Sequence, residues 1–137
     1  MGVVHLDAGV VIGFLDADDA HHTAARTVLS RALDAGDRIG MAASAFAECL
    51  VGPARHGGDA VATVRLLVER VPIVIVPLDE SIAVAAAELR AAHPKLRLPD
   101  ALVVATAQER SAERLVTTDR GWPTARALKL GAKIVTL

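Results

Sequence analysis

The 137-residue chain is long enough for a substantial core, and its 53% apolar content, with two Phe, one Trp and no Tyr, makes that core aliphatic. A net charge of -1 excludes the strongly basic balance of a protein that grips long nucleic acid through charge alone, while leaving room for a local basic rim drawn from twelve Arg. One cysteine, Cys49, excludes an internal disulfide, and the start Met-Gly-Val-Val-His-Leu-Asp has no secretory pattern, so the expectation is a single cytoplasmic domain over 1–137.

Residues 3–6, Val-Val-His-Leu, read as a short buried strand that delivers Asp7 at its carboxyl end. The apolar run 10–15 begins a helix, 16–19 is a polar turn, and 23–33 has apolar residues at helical spacing as far as Gly36. A brief strand at 39–42 precedes a helix with its N-cap at Ser44 or one residue to either side, running through Phe46, Glu48 and Leu50 until Gly52-Pro53 bends or ends it. Gly57-Gly58-Asp59 is a turn, and 60–70 is an amphipathic helix.

The β-branched run 73–76 between two prolines reads as a buried strand, central or at an edge. Residues 81–92 are helical, and 95–98 form a loop into Pro99-Asp100. Pro99 suits the first helical position, which puts Asp100 in the first turn of a helix reaching Glu109, facing the positive end of its dipole. A strand at 114–118 exits through Asp119-Arg120-Gly121, and 133–137 is the last strand. This alternation predicts an α/β fold: a three-layer α/β/α domain around a central, mainly parallel sheet, whose strands' carboxyl ends gather ligands.

Asp7, Glu48, Asp100 and Asp119 are the residues that carry chemistry. Carboxylates drawn together repel, and a hard divalent cation compensates them, Mg²⁺ preferring oxygen ligands. Taken singly, each acid is equally a turn, first-turn or solvated residue. No histidine pattern (His5, His21-His22, His56, His93) has zinc-site spacing, and Gly9 with Gly13 makes no phosphate loop. Cys49 reads as a small buried hydrophobe and Trp122 as packing. Arg97 and Arg120 flank two of the acids, where they read equally as phosphate contacts, as structural ion pairs or as a solvated rim.

The segments Val-Val-His-Leu-Asp7, Ser44-Ala-Phe-Ala-Glu48, Leu98-Pro99-Asp100-Ala101 and Val116-Thr117-Thr118-Asp119-Arg-Gly-Trp122, in this order and spacing, resemble PIN-domain ribonucleases, specifically the toxins of bacterial virulence-associated protein B and C type toxin–antitoxin pairs. The resemblance implies Mg²⁺ or Mn²⁺ held by Asp7 and Asp100, with Glu48 and Asp119 completing the pocket directly or through water. It also implies that Thr117 steadies the site. Ala8-Gly9 stands where the family often has Thr or Ser after the first acid, and Gly121 where a further acid is frequent; both departures argue against a second tightly held metal. The implied reaction leaves 5′-phosphate and 3′-hydroxyl RNA ends. The implied partners are a small antitoxin, seated in a groove between helices 23–33 and 44–50, and a second copy of the chain. The competing readings are a metal-dependent DNA flap nuclease or exonuclease and a noncatalytic PIN-fold interaction module.

Overall fold

The computed structural model describes residues 2–137. Its elements run β1 (Val3–Leu6), α1 (Ala8–Leu15), α2 (His22–Asp34), β2 (Arg38–Ala42), α3 (Ala43–Ala54), α4 (Gly58–Arg70), β3 (Ile73–Val76), α5 (Glu80–Ala92), α6 (Leu98–Glu109), β4 (Arg114–Thr117) and β5 (Lys133–Thr136). The strands form one sheet in the order β3-β2-β1-β4-β5, and all four pairings are parallel. The predicted α/β fold with a mainly parallel sheet is therefore the observed one, and the sheet is parallel throughout.

Strand order explains where a site can form. The chain steps from β1 to β2 to β3 in one direction, then returns to place β4 and β5 on the other side of β1. Right-handed crossovers put the connecting helices of the two halves on opposite faces, and a crevice opens where the direction reverses, between β1 and β4. Asp7 directly follows β1, and Asp119 is the second residue after β4.

The core is aliphatic, as composition requires: Leu6, Met41, Ile82, Leu96 and Leu115 are its largest fully buried side chains, while Phe14, Phe46 and Trp122 pack around its margin. The connection from β4 to β5, which carries no readable pattern, adds Leu128 and Leu130 to this core.

Four local expectations need correction. Helix α1 starts at Ala8 rather than at residue 10, because Asp7 is its N-cap and accepts the Ala8 N–H at 2.8 Å. Ser44 does not cap α3: β2 pairs with β3 as far as Ala42, the switch to helix falls there, and Ser44 is already the second helical residue. Strand β3 is not fully buried. It pairs only with β2, so Ile73 and Val76 are covered while Val74 is 58% exposed at the sheet edge. Helix α4 starts at Gly58, because Gly57, at φ 105°, takes the left-handed backbone that the predicted turn needed and leaves Gly58 helical. Gly52-Pro53 behaves as expected, with Pro53 in the last turn of α3 one residue before its end.

Helix α1 packs against both α2 and α3, so the two helices expected to form a partner groove have a third beside them. Exposed apolar side chains lie on this group and beyond it: Ile12 on α1, Leu33 on α2, Val51 on α3, Leu66 and Leu67 on α4. No helix among the described residues is long and apolar enough to cross a membrane.

Candidate active site

Asp7 is held from three sides. Its backbone N–H donates to the Val116 carbonyl at 2.9 Å, continuing the β1–β4 pairing by one residue. Its Oδ1 caps α1, and its Oδ2 accepts the Thr117 hydroxyl at 2.9 Å. Thr117 is fully buried and its Oγ1 also accepts the Asp119 N–H at 3.1 Å, so one hydroxyl ties the first acid to the backbone of the last.

Asp100 enters from α6. Arg97 is the N-cap, Leu98 and Pro99 open the helix, and Asp100 is its third residue, in the first turn as expected but one place further from the start. Arg97 Nε approaches Asp100 Oδ2 at 3.4 Å from an exposed position, which places Arg97 as an ion pair on the rim. Glu48 is supplied by the exposed face of α3. Asp119 stands in the turn after β4, where its Oδ1 accepts the Gly121 N–H at 2.7 Å. Arg120 is exposed and forms no ion pair among the described residues.

The four acids share one electrostatic neighbourhood. Burial pushes the Asp7 carboxyl above the usual carboxylate range; the Thr117 hydroxyl and the Ala8 N–H oppose this, and the charges of Asp100 and Asp119 add to it. Asp100 is pushed up by burial and by Asp119, against the pull of Arg97. Glu48 is raised by partial burial and by Asp7 and Asp100. These acids come from four separate places along the chain, and among the described residues one exposed arginine forms the only ion pair with any of them.

Their oxygens do not form a finished cage: among the described residues no three His, Cys, Asp or Glu side chains stand at metal-holding separation. The donor set is nonetheless uniformly hard oxygen and electrostatically frustrated, which suits a divalent cation that draws the carboxylates inward.

Several contacts were not readable in the sequence. A Cβ on Gly9 would run into Thr118 Oγ1, so the Thr118 hydroxyl fills the space that any side chain at position 9 would need. His5 is buried, with its ring over Gly40, and its pKa is lowered to about 4 by burial and by Arg110. Trp122 Nε1 is buried without a hydrogen-bond partner among the described residues. Cys49 is free and buried, as read, with its thiol pushed up to about 12, which leaves it inert as a nucleophile at neutral pH.

The PIN domain model matches residues 4–128, from the strand before Asp7 past the turn that carries Asp119. The chain belongs to the PIN domain family. No curated protein matches it in sequence. Among solved structures it is similar to a toxin–antitoxin complex from Klebsiella pneumoniae (23% identity, TM-score 0.68, covering 97% of this chain and 96% of that one). VapBC-1 from nontypeable Haemophilus influenzae is also similar (15%, TM-score 0.70, 98% and 97%). So is the Mycobacterium tuberculosis toxin VapC20, described as cleaving the sarcin-ricin loop (15%, TM-score 0.66, 82% and 86%). At these identities the likeness is one of fold, and this PIN-domain chain extends over nearly the whole of each neighbour.

Proposed function

We propose that this PIN domain is a Mg²⁺-dependent endoribonuclease, with Mn²⁺ as a substitute, acting as the toxin of a type II toxin–antitoxin pair. The observation that carries the reading is the meeting of Asp7, Glu48, Asp100 and Asp119 at the strand-order reversal, where burial and mutual repulsion raise three of them. Asp7 and Asp100 are the principal ligands, each anchored at a helix start, with Glu48 and Asp119 closing the pocket. The cation supplies Lewis acidity toward water and the scissile phosphate.

The chain's own residues do the rest. Thr117 and the Ala8 N–H fix the Asp7 rotamer, each donating to one carboxylate oxygen and leaving each oxygen further lone-pair capacity. Glu48, exposed and with raised proton affinity, orients the attacking water and can take its proton. Arg97 and Arg120 meet phosphates on the approach to the pocket. Cleavage on the side of the bridging 3′ oxygen leaves a 5′-phosphate and a 3′-hydroxyl.

The similar fold described as a toxin–antitoxin complex supports an antitoxin partner, and the exposed apolar residues of α1, α3 and α4 supply its docking area. A homodimer within a toxin–antitoxin hetero-oligomer, working in the cytoplasm, completes the proposal.

The test is single-turnover cleavage of total RNA and of matched single-stranded DNA by purified wild-type protein and Asp7→Asn, with Mg²⁺ or Mn²⁺ varied and the new ends mapped. Metal-dependent RNA ends bearing 5′-phosphate, lost in D7N, are expected. Cleavage of DNA alone would replace this reading with the flap or exonuclease one, and carboxylate-independent cleavage would overturn it.

A further inference from the structure

Strand register gathers a second group of side chains away from the acids. Val3 pairs with Arg38, and His5 with Gly40, which pairs in turn with Val74. Alternate residues of a strand share a face, so these positions lie together across β1, β2 and β3. Arg110, the C-cap of α6, reaches the same place from the helix packed on β2. Between them is an open cavity of about 190 Å³, with His5 and Gly40 at its buried floor and Arg38, Arg110 and Val74 at its exposed rim. Gly40 keeps that floor clear, since a Cβ there would lie 2.8 Å from His5 Nε2. The charge of the cavity is one-sided. No acidic side chain lines it, and neither Arg38 nor Arg110 forms an ion pair among the described residues. The acid next in sequence, Asp37, is already bonded to Arg114 and to the Gly2 N–H. Two guanidiniums on one small cavity repel each other, and an anion between them relieves both.

We propose that this cavity binds a phosphate group, held between the Arg38 and Arg110 guanidiniums above His5 and Gly40. It is smaller than the roughly 300 Å³ at which pockets for whole small molecules begin, so it takes one group rather than an entire ligand. A tetrahedral phosphate offers acceptor oxygens to two guanidiniums arriving from different elements, and the exposed Val74 lies against whatever carries it. The site is separate from the acid cluster: Asp100 opens α6 and Arg110 ends it, with about 15 Å of helical rise between them. The α6 dipole turns its negative end toward the cavity, so the anion is held only while Arg110 outweighs it. That makes Arg110 the stronger determinant of the two. The inference does not depend on the nuclease reading.

The experiment is a ¹H–¹⁵N titration of the intact, metal-free chain with inorganic phosphate, sodium chloride holding the ionic strength constant. The Gly40 and Val74 amide resonances are expected to shift saturably at roughly millimolar phosphate. Arg38→Gln is expected to weaken binding about tenfold and Arg110→Gln by more, whereas Arg65→Gln, which removes the same charge from α4, leaves it unchanged. Shifts that grow without saturating, saturable shifts confined to the surroundings of Arg97 and Arg120, or wild-type affinity in a folded R38Q/R110Q double variant overturn the proposal. The same resonances followed with adenosine 5′-monophosphate and with a 5′-hydroxyl oligoribonucleotide separate the sources of the phosphate. Tighter binding of the first than of inorganic phosphate identifies a monoester, tighter binding of the second identifies the bridging phosphates of RNA, and tighter binding of neither identifies inorganic phosphate itself.

Discussion

The two ends of the sheet treat buried acids in opposite ways. At the amino ends of the strands, the buried carboxylate of Asp37 has full compensation: the Arg114 guanidinium donates to one oxygen and the Gly2 N–H to the other, at 2.7 Å. At the carboxyl ends, Asp7 and Asp100 are each only 8% exposed, yet they repel one another, Asp119 and Glu48, and among the described residues the one ion pair to any of these acids is that of Arg97. A structural acid is neutralised where it is buried. A cluster left unneutralised in the same molecule marks the place where the fold has been shaped for something besides stability.

If that contrast is right, the largest effect of any substitution falls on chemistry at the carboxyl ends. Asp7→Asn is expected to lower single-turnover RNA cleavage by about a thousandfold, roughly 4 kcal/mol of barrier, while slightly raising the melting temperature of metal-free protein at neutral pH. Asparagine can still cap α1 and relieves the repulsion. The sign follows from linkage: a carboxyl whose folded pKa is raised destabilises the ionised fold, so the stability advantage of D7N should shrink as pH falls toward the ordinary aspartate range. A thermal melt series from neutral pH downward checks it, and an advantage that grows with acidity would break the comparison.

His5 gives the next effect, with the opposite slope. Its folded pKa lies near 4 against an ordinary 6.5, so the neutral buried ring contributes stability that is full above 6.5 and is lost as pH falls toward 4. The loss is on the order of 3 kcal/mol. His5→Gln should flatten the stability curve across that window in chemical-denaturation measurements at fixed ionic strength.

Smaller again is the cost of breaking the compensated pair. Asp37→Asn should reduce stability by about 2 kcal/mol, because it strands the Arg114 contact, with cleavage per folded molecule unchanged. A catalytic defect in D37N would erase the distinction between the two ends. The smallest effect belongs to Gly9→Ala, where the helical gain of about 1 kcal/mol is offset by displacing the Thr118 hydroxyl. A double-mutant cycle with Thr118→Ala, read by denaturation, should show the gain appearing only when that hydroxyl is gone.

The sequence makes one half of this contrast legible and hides the other. The acids at the carboxyl ends could be placed because each sits at a boundary with a local signal: a β-branched run stopping at Asp7, a proline before Asp100, an exit turn at Asp119. The partner of Asp37 lies 77 residues away, and no local pattern announces it. The same holds for His5 over Gly40 and Thr118 over Gly9, which depend on neighbouring strands and on missing side chains rather than on period. Ser44 misled because capping preference is weaker than the pairing that keeps β2 extended to Ala42. The exposure of Val74 could not be read because an all-apolar run looks the same at the centre of a sheet and at its edge.

The Thr117 hydroxyl, bonded to Asp7 across the β1–β4 pairing, has a consequence for how the chain must assemble. Side chains alternate faces along a strand, so a slip of β4 by a single residue would turn that hydroxyl to the opposite layer and bring its neighbour to the wrong depth. Such a molecule would also exchange the buried Leu115 and Val116 between the two packed layers. It would have lost the link between its first and last acids. The cleavage proposed for this chain would therefore also be a readout of strand alignment.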